Sequence, residues 1–221
     1  MSKIAENLQA INAKIKKISQ ATEVIAVSKN HPAESVKEAI AAGQTLFGEN
    51  RVQEAQSKFA ELKKEFPNIK LHLIGPLQTN KVKDALALFD VIQTLDREKL
   101  AIKVAEANTK QHSNIATKQL FIQVNIGNEP QKAGIASAQT ADFYKFCTAD
   151  LGLNVTGLMC IPPADENPAP YFAELINLKS KILNLKYLSM GMSGDYEIAA
   201  KLGANYVRIG TAIFGERLKT P

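Results

Sequence analysis

Short apolar runs alternate with longer stretches of helical periodicity along the 221-residue chain. The runs carry little polar alternation, which is typical of parallel strands buried on both faces. Length separates them from helices, because strands are usually shorter than a buried helix. We predict eight β-strands, over residues 24–27, 45–48, 70–75, 91–95, 120–126, 154–159, 186–190 and 204–210.

The stretches between these runs favour helices, most clearly over 51–66, 97–110 and 169–183. A further helix is predicted before the first strand, because apolar residues recur there at steps of four and three. These residues are Ile4, Leu8, Ile11, Ile15 and Ile18. We expect this amphipathic stripe to pack on its own domain.

Regular alternation of strands and helices predicts the α/β class, with a parallel sheet covered by helices. Eight repeats favour closure into a single (β/α)8 TIM barrel with an extra N-terminal helix. We expect one domain over residues 1–221. An open doubly wound sheet is the alternative, and it is disfavoured because no G-x-G-x-x-G motif follows the first strand.

Composition narrows the function classes. Hydrophobic residues make up 45% and charged residues 22% of the chain, which is ordinary for a globular domain. No apolar run approaches the roughly 18 residues of a membrane span, and the N-terminal stretch does not read as a signal peptide. We therefore expect a cytoplasmic protein with no membrane partner.

The net charge of +5 is modest, and the lysines are spread along helices without interleaved aromatic residues. This pattern disfavours a nucleic-acid partner and suits small anionic ligands.

Cys147 and Cys160 form neither a metal-type pair nor a disulfide framework. We expect no metal site.

In a barrel of this class, the chemistry lies at the carboxyl ends of the strands. Lys29 follows the first strand directly, in the stretch VIAVSKNHP. A lysine there either extends its ammonium group into solvent or acts, partly desolvated, as a nucleophile towards carbonyls. The strand alone leaves both interpretations open.

Two other strand ends predict an anion site. Gly191, Ser193 and Gly194 follow the seventh predicted strand, and Gly210 and Thr211 follow the eighth. Glycine lets the backbone approach a ligand, hydroxyl groups donate hydrogen bonds, and a helix N-terminus presents unpaired N–H groups. These loops are the usual phosphate site of the barrel class.

Arg208 lies on the last strand and points either outwards between helices or inwards to a partner. His72, on the third strand, is either a satisfied core histidine or a site residue. A strand-end lysine, a phosphate site and an arginine together suit an aldehyde cofactor that carries a phosphate. Pyridoxal 5′-phosphate (PLP) is such a cofactor, since its aldehyde bonds to lysine and its ring nitrogen meets Asp or Arg.

Seven stretches carry a family resemblance: AVSK, FGEN, HLIGPLQTNK, VNIGNEPQKAGI, LMCIPP, LSMGMSGD and VRIGTAIFG. Through them the chain resembles the YggS/PROSC family of pyridoxal-phosphate-binding homeostasis proteins, relatives of the alanine racemase N-terminal domain. The resemblance runs from residue 27 to residue 217. Two departures stand out. Leu71 and Leu73 flank His72 where the family often has Trp and Phe, and Arg51 stands where it often has Tyr.

The resemblance implies a role for each candidate residue. Lys29 would carry PLP as a Schiff base, and Arg208 would face the pyridine nitrogen. Ser193, Gly210 and Thr211 would hold the phosphate, while Asn50 and His72 would line the pocket. The implied function is intracellular PLP homeostasis as a carrier or regulator, with PLP-dependent apoenzymes as candidate recipients. We expect a monomer and no catalytic residues.

Two enzymatic alternatives remain open: a PLP-dependent amino-acid racemase and a Schiff-base aldolase. An arginine opposite the ring leaves the pyridine nitrogen unprotonated, which weakens the ring as an electron sink. We also expect no β-rich second domain, which supplies the opposing tyrosine base in alanine racemases. Tyr196 is the candidate for the second base of a racemase. Glu49 is the candidate for the acid–base partner of Lys29 in an aldolase. We expect no enzyme, with a weak racemase-type side activity left open.

Overall fold

The computed structural model describes residues 2–110 and 118–216. Arg217, the last residue of the stretch that carries the family resemblance, lies outside the described residues. Nine strands occur in the described ranges, eight of them at the predicted places. They are β1 Glu23–Val27, β2 Leu46–Glu49, β3 Lys70–Leu73, β4 Val91–Leu95, β5 Gln119–Asn125, β6 Ile135–Ala136, β7 Val155–Cys160, β8 Tyr187–Ser189 and β9 Tyr206–Ile209.

Eight of these strands form a closed parallel ring in the order β4-β3-β2-β1-β9-β8-β7-β5. Pairing of β4 with β5 closes the ring, and β1 pairs with β9 with Ala26 opposite Ile209. The two-residue strand β6 adds to the carboxyl end of β5, where Ile135 lies opposite Val124. The predicted TIM barrel is confirmed, and closure rules out the open sheet.

The N-terminal helix precedes the first strand, and the other helices follow strands along the chain. They are α1 Lys3–Ile18, α2 Ala33–Ala41, α3 Val52–Glu65, α4 Val82–Leu88, α5 Glu98–Lys110, α6 Thr140–Lys145, α7 Ala169–Ser180, α8 Tyr196–Lys201 and α9 Thr211–Phe214. The extra N-terminal helix α1 is capped by the Ser2 side chain, which accepts a hydrogen bond from the Ala5 N–H. Its buried residues Leu8, Ile11 and Ile15 confirm the predicted stripe, and the helix packs against α2, α8 and α9.

The core has two parts. A large cluster lies between the strands and the helices and includes the fully buried rings of Phe47, Phe59, Phe89 and Phe172. A small cluster of Val91, Phe121 and Met159 lies inside the ring, with Tyr187 and Tyr206 packed against it. The TIM-barrel interior is therefore packed with side chains, as this fold requires.

Both cysteines are free and buried, and burial raises the pKa of each thiol to about 12. Thiols with such a pKa hold their protons and are poor nucleophiles. Across the described ranges, no cluster of His, Cys, Asp or Glu has the makings of a metal site. Nor does any helix in them combine the length and apolar character that crossing a membrane requires.

Candidate functional site at the carboxyl ends of the strands

The barrel brings most of the predicted site residues to one end. Strands β2, β1, β9 and β8 are neighbours in the ring, and their carboxyl ends lead into the loops that carry the candidates. These are Asn50 after β2, Lys29 after β1, Gly210 and Thr211 after β9, and Ser193 after β8. Residues 29 and 211 are far apart in sequence, and barrel closure places the strands that lead to them, β1 and β9, side by side.

The β1–β9 seam, where residues 23–26 pair with residues 206–209, runs directly into this site. A Cβ atom placed on Gly210 would lie 3.3 Å from the carbonyl oxygen of Val27. That separation is tight, so the chain leaving β9 lies against the chain that leads to Lys29. Glycine permits this close approach.

An anion cradle lies at the ends of β8 and β9. We define it as the hydroxyl groups of Ser193 and Thr211 and the backbone N–H groups of Ser193, Gly194, Thr211 and Ala212. Within the described ranges, these four N–H groups make no hydrogen bond. Unpaired backbone donors and hydroxyl groups match the acceptor oxygens of a phosphate. The donor set therefore fits the phosphate of PLP.

The turn that opens the cradle requires glycine at position 191. Gly191 has a φ of +92°, and a Cβ atom there would lie 2.5 Å from the Ala199 Cβ. An L-residue would combine a left-handed backbone with an overlap against α8. The turn places Ser193 and Gly194 ahead of that helix, as the sequence predicts.

Arg208 points into the ring, which settles the alternatives left open by its sequence position. It is 4% exposed, and its guanidinium donates to the Ser189 Oγ and to the Cys160 carbonyl oxygen, each at 2.8 Å. Burial lowers the pKa of Arg208. The two acceptors offset much of the cost of removing the charge from water.

A chain of buried hydrogen bonds continues from Arg208 to His72. The Ser189 Oγ lies 2.6 Å from the Gln93 Oε1, and the Gln93 Nε2 lies 2.9 Å from the His72 Nδ1. Since a guanidinium only donates, Ser189 accepts from Arg208 and donates its own proton to Gln93. The Gln93 amide nitrogen then donates to His72. His72 is thereby assigned the neutral tautomer with its proton on Nε2, and burial lowers the pKa of His72 to about 4.

His72 also reaches the opposite end of the barrel. It lines a cavity of about 640 Å³ at the amino ends of the strands, together with Lys70, Tyr187 and Tyr206. The Tyr206 ring packs edge-on to the imidazole at 5.5 Å between centroids. His72 is thus a hydrogen-bonded core residue linked to Arg208, and its predicted place in the cofactor pocket stays a prediction.

Asn50 lies at the rim of the site, half-buried, where β2 ends. Gly75 packs against it so closely that a Cβ atom on Gly75 would lie 2.3 Å from the Asn50 carbonyl oxygen. The contact fixes the loops after β2 and β3 against each other. Asn50 is therefore well placed, and its predicted contact with a cofactor stays a prediction.

A buried ion pair lies beneath the Lys29 turn, which we define as residues Ser28–His31. The Lys58 Nζ, on α3, lies 2.7 Å from the Glu49 Oε1 at the end of β2. The Ser28 Oγ donates to the same carboxylate oxygen at 2.7 Å. Burial raises the pKa of Glu49, against the opposing effects of Lys58 and Ser28.

Among the residues of these networks that the sequence-based predictions do not assign are Lys58, Gln93 and Ser189. Each is buried in the structure. The available signals were a Gln within the apolar run VIQTL and a Ser within KYLSM. Lys58 carried no signal, because a lysine on an amphipathic helix normally faces solvent.

Comparisons with known proteins agree with this geometry. The family described as "Alanine racemase, N-terminal domain" matches residues 1–218. The pyridoxal phosphate homeostasis protein of Vibrio cholerae is 38% identical over 236 aligned positions, which cover 98% of each chain. The chain belongs to the alanine racemase N-terminal domain family and, within it, to the pyridoxal phosphate homeostasis proteins.

Solved structures give the same result. PipY of Synechococcus elongatus without PLP superposes with a TM-score of 0.86 at 36% identity, over 96% of this chain and all of that one. A second PipY structure, described as having PLP bound, gives 0.78 at 35% identity with the same coverage. Alanine racemase of Acinetobacter baumannii gives 0.71 at 17% identity over 96% of this chain and 60% of that one, and shares the fold.

Proposed function

We propose that this chain binds PLP, held as a Schiff base on Lys29, and acts in intracellular PLP homeostasis as a carrier or regulator. The supporting observation is that β1, which leads to Lys29, pairs with β9, which leads into the anion cradle. The names of the relatives point the same way. When bound, the cofactor supplies an aldehyde that condenses with an amine and a pyridine ring that accepts electron density.

Each candidate residue has a distinct task in this proposal. Ser193, Gly210 and Thr211 hold the phosphate, with the backbone N–H groups of the cradle as further donors. Arg208 faces the pyridine nitrogen, held in place by Ser189 and by the Cys160 carbonyl group. Asn50 and His72 line the cofactor pocket. Asn50 lies at its rim, and His72 lies at the end of the hydrogen-bond chain that starts at Arg208.

The carrier role, rather than an enzymatic one, is supported by Arg208. A guanidinium is a donor that keeps its protons, so a ring nitrogen facing it stays unprotonated. A PLP ring in that state stabilises a carbanion weakly.

We propose a monomeric cytoplasmic protein formed by one domain over residues 1–221, with PLP-dependent apoenzymes as recipients of the cofactor.

Borohydride reduction followed by peptide mapping tests the attachment. We expect the label on the peptide that contains Lys29, and we expect Lys29→Ala to lose both the label and the yellow colour. Lys81→Ala, a half-buried lysine in the loop after β3, is the matched control and should keep both. A label found mainly on another lysine of the wild-type protein would refute the assignment.

The phosphate site is tested with a double variant, Ser193→Ala/Thr211→Ala. A hydrogen bond to a charged group contributes roughly 1.5–3 kcal/mol. We therefore expect PLP affinity to fall by at least about tenfold, while pyridoxal, which lacks the phosphate, binds almost as before. An equal loss for both aldehydes would place the phosphate elsewhere.

Proton exchange at the Cα of alanine or serine in deuterated water separates the carrier from the racemase. Loss of a positioned general base typically costs about 10²–10⁴ in rate. We expect transfer of PLP to an apoenzyme without appreciable exchange. Exchange at roughly one event per second or faster, which is typical of enzymes, would overturn the carrier role.

A further inference from the structure

The Lys29 turn has an unusual backbone. Asn30 adopts a φ of +62°, in the left-handed region, and the His31 N–H bonds to the Ser28 carbonyl oxygen at 3.1 Å. Asparagine tolerates this region better than most residues, at some cost in energy. A strained conformation of this kind persists only where the surroundings determine it strongly.

Lys58 holds much of the Lys29 turn in this conformation. Its ammonium group lies 2.8 Å from the Ser28 carbonyl oxygen and 3.2 Å from the His31 carbonyl oxygen. These two carbonyl groups stand on either side of Lys29 and Asn30. One buried cation on α3 therefore holds both ends of the segment that carries Lys29.

Two carboxylates complete the arrangement. Glu49 pairs with Lys58 and accepts from the Ser28 Oγ, while Glu54 pairs with Lys58 at 3.0 Å and accepts from the Asn30 N–H at 2.5 Å. Burial raises the pKa of Glu54, but the hydrogen bonds from Asn30 and Lys58 outweigh it, and the pKa of Glu54 is lowered.

A lysine that is only 9% exposed is rare unless it is paired, and removing one partner of a buried pair is costly. Here both partners of the lysine also bond to the turn that carries Lys29. We infer that Lys58 is a positioning residue, which fixes the backbone beneath Lys29 for covalent capture of an aldehyde. This inference rests on the proposed function for its chemistry and on the contacts above for its geometry.

The test variant is Lys58→Met/Glu49→Gln, which removes the ammonium group together with the charge of the fully buried Glu49. The half-buried Glu54 keeps its hydrogen bond from the Asn30 N–H. The matched control is Lys63→Met/Asp90→Asn. Lys63 is also on α3, pairs with Asp90 at 2.8 Å and donates to the Leu88 carbonyl oxygen at 2.9 Å. Those partners lie away from the Lys29 turn.

Two measurements are compared between the variants. In amide hydrogen exchange of the apoprotein, we expect the Lys58 variant to exchange at least about tenfold faster over residues 28–31, and the Lys63 variant to match the wild-type protein there. In stopped-flow mixing, covalent capture of PLP and of pyridoxal should slow by the same factor, on the order of tenfold to a hundredfold, because a small misplacement is costly.

Equal slowing for the two aldehydes distinguishes misplacement of Lys29 from damage to the phosphate site. Unchanged exchange over residues 28–31, or unchanged capture rates, would overturn the inference and leave Lys58 with a purely structural role. If the wild-type protein captures neither aldehyde, the proposed function fails while the exchange measurement still decides whether Lys58 holds the turn.

A milder variant covers the case in which the double variant does not fold. Glu54 is half-buried, and Glu54→Ala removes the acceptor of the Asn30 N–H. We expect faster exchange at Asn30, with the exchange of β1 unchanged. Wild-type exchange at Asn30 in this variant would contradict the inference.

Discussion

Replacing Ser189 by alanine tests the buried hydrogen-bond chain at its central link. Ser189 is fully buried and bridges the Arg208 guanidinium to the Gln93 side chain. The substitution removes two hydrogen bonds while changing side-chain volume little. A bond to a charged group contributes roughly 1.5–3 kcal/mol and a neutral one about 0.5–1.5 kcal/mol. We therefore expect Ser189→Ala to lower the free energy of unfolding by about 2–4.5 kcal/mol.

Urea denaturation of the apoprotein measures this loss. With a slope of roughly 2 kcal/mol per molar urea, the midpoint should fall by about 1–2 M. The control is Ser57→Ala, because Ser57 is exposed and its hydroxyl donates to the Glu54 carbonyl oxygen one turn earlier on the same helix. The free energy of unfolding of that variant should stay within about 0.5 kcal/mol of the wild-type value.

A loss below about 0.5 kcal/mol for Ser189→Ala would refute the reasoning. It would mean that Arg208 and Gln93 find equivalent partners once the hydroxyl group is gone. A loss in the expected range with an unchanged slope would locate the effect in the native state, where these groups remain buried and unpaired.

Two further predictions concern His72 and Gly191. Burial lowers the pKa of His72 from 6.5 to about 4, so the unfolded state binds the proton more readily as the pH falls through that interval. Between pH 6.5 and pH 4, the free energy of unfolding of the wild-type protein should fall by about 3 kcal/mol more than that of His72→Asn. Urea midpoints at each pH measure the difference, and parallel pH profiles of the two proteins would contradict it. Gly191→Ala should cost at least about 2 kcal/mol through the left-handed φ and the overlap with Ala199. Gly194→Ala, whose added methyl group meets nothing within 4 Å, should cost much less, and equal losses would count against the argument.

The fold was largely predictable from the chain. Eight apolar runs separated by helical stretches leave few ways to bury a parallel sheet, and the structure confirms all eight strands with small shifts of their ends. Strand β6 was missed because two paired residues after a Gly- and Pro-containing loop leave no periodic signal. Strand β2 ends one residue later than predicted, at Glu49, because its backbone still pairs with β3, with Glu49 opposite Leu73.

The candidate site was predictable only in part. Lys29, Ser193, Gly210 and Thr211 stand where a strand gives way to a loop, and such positions can be recognised locally. Gln93 and Ser189 could not be assigned, because a strand buried on both faces gives no sign of which residues point into the ring. Lys58 could not be recognised either, since its partners outside α3 come from the end of β2 and from the turn between β1 and α2.

The β1–β9 seam has a consequence for the order in which the molecule is completed. It joins residues 23–26 to residues 206–209, so the ring cannot close until residues 206–209 have been synthesised. The Lys29 turn can form early, but the cradle completed by Thr211 and Ala212 arrives with the last strand. A ligand that spans the seam therefore binds the finished barrel and not its precursors, and at one hundred times its dissociation constant it adds about 2.7 kcal/mol to the closed form alone. During refolding, ligand capture should follow the docking of β9, so that the colour of the bound aldehyde reports the moment of ring closure.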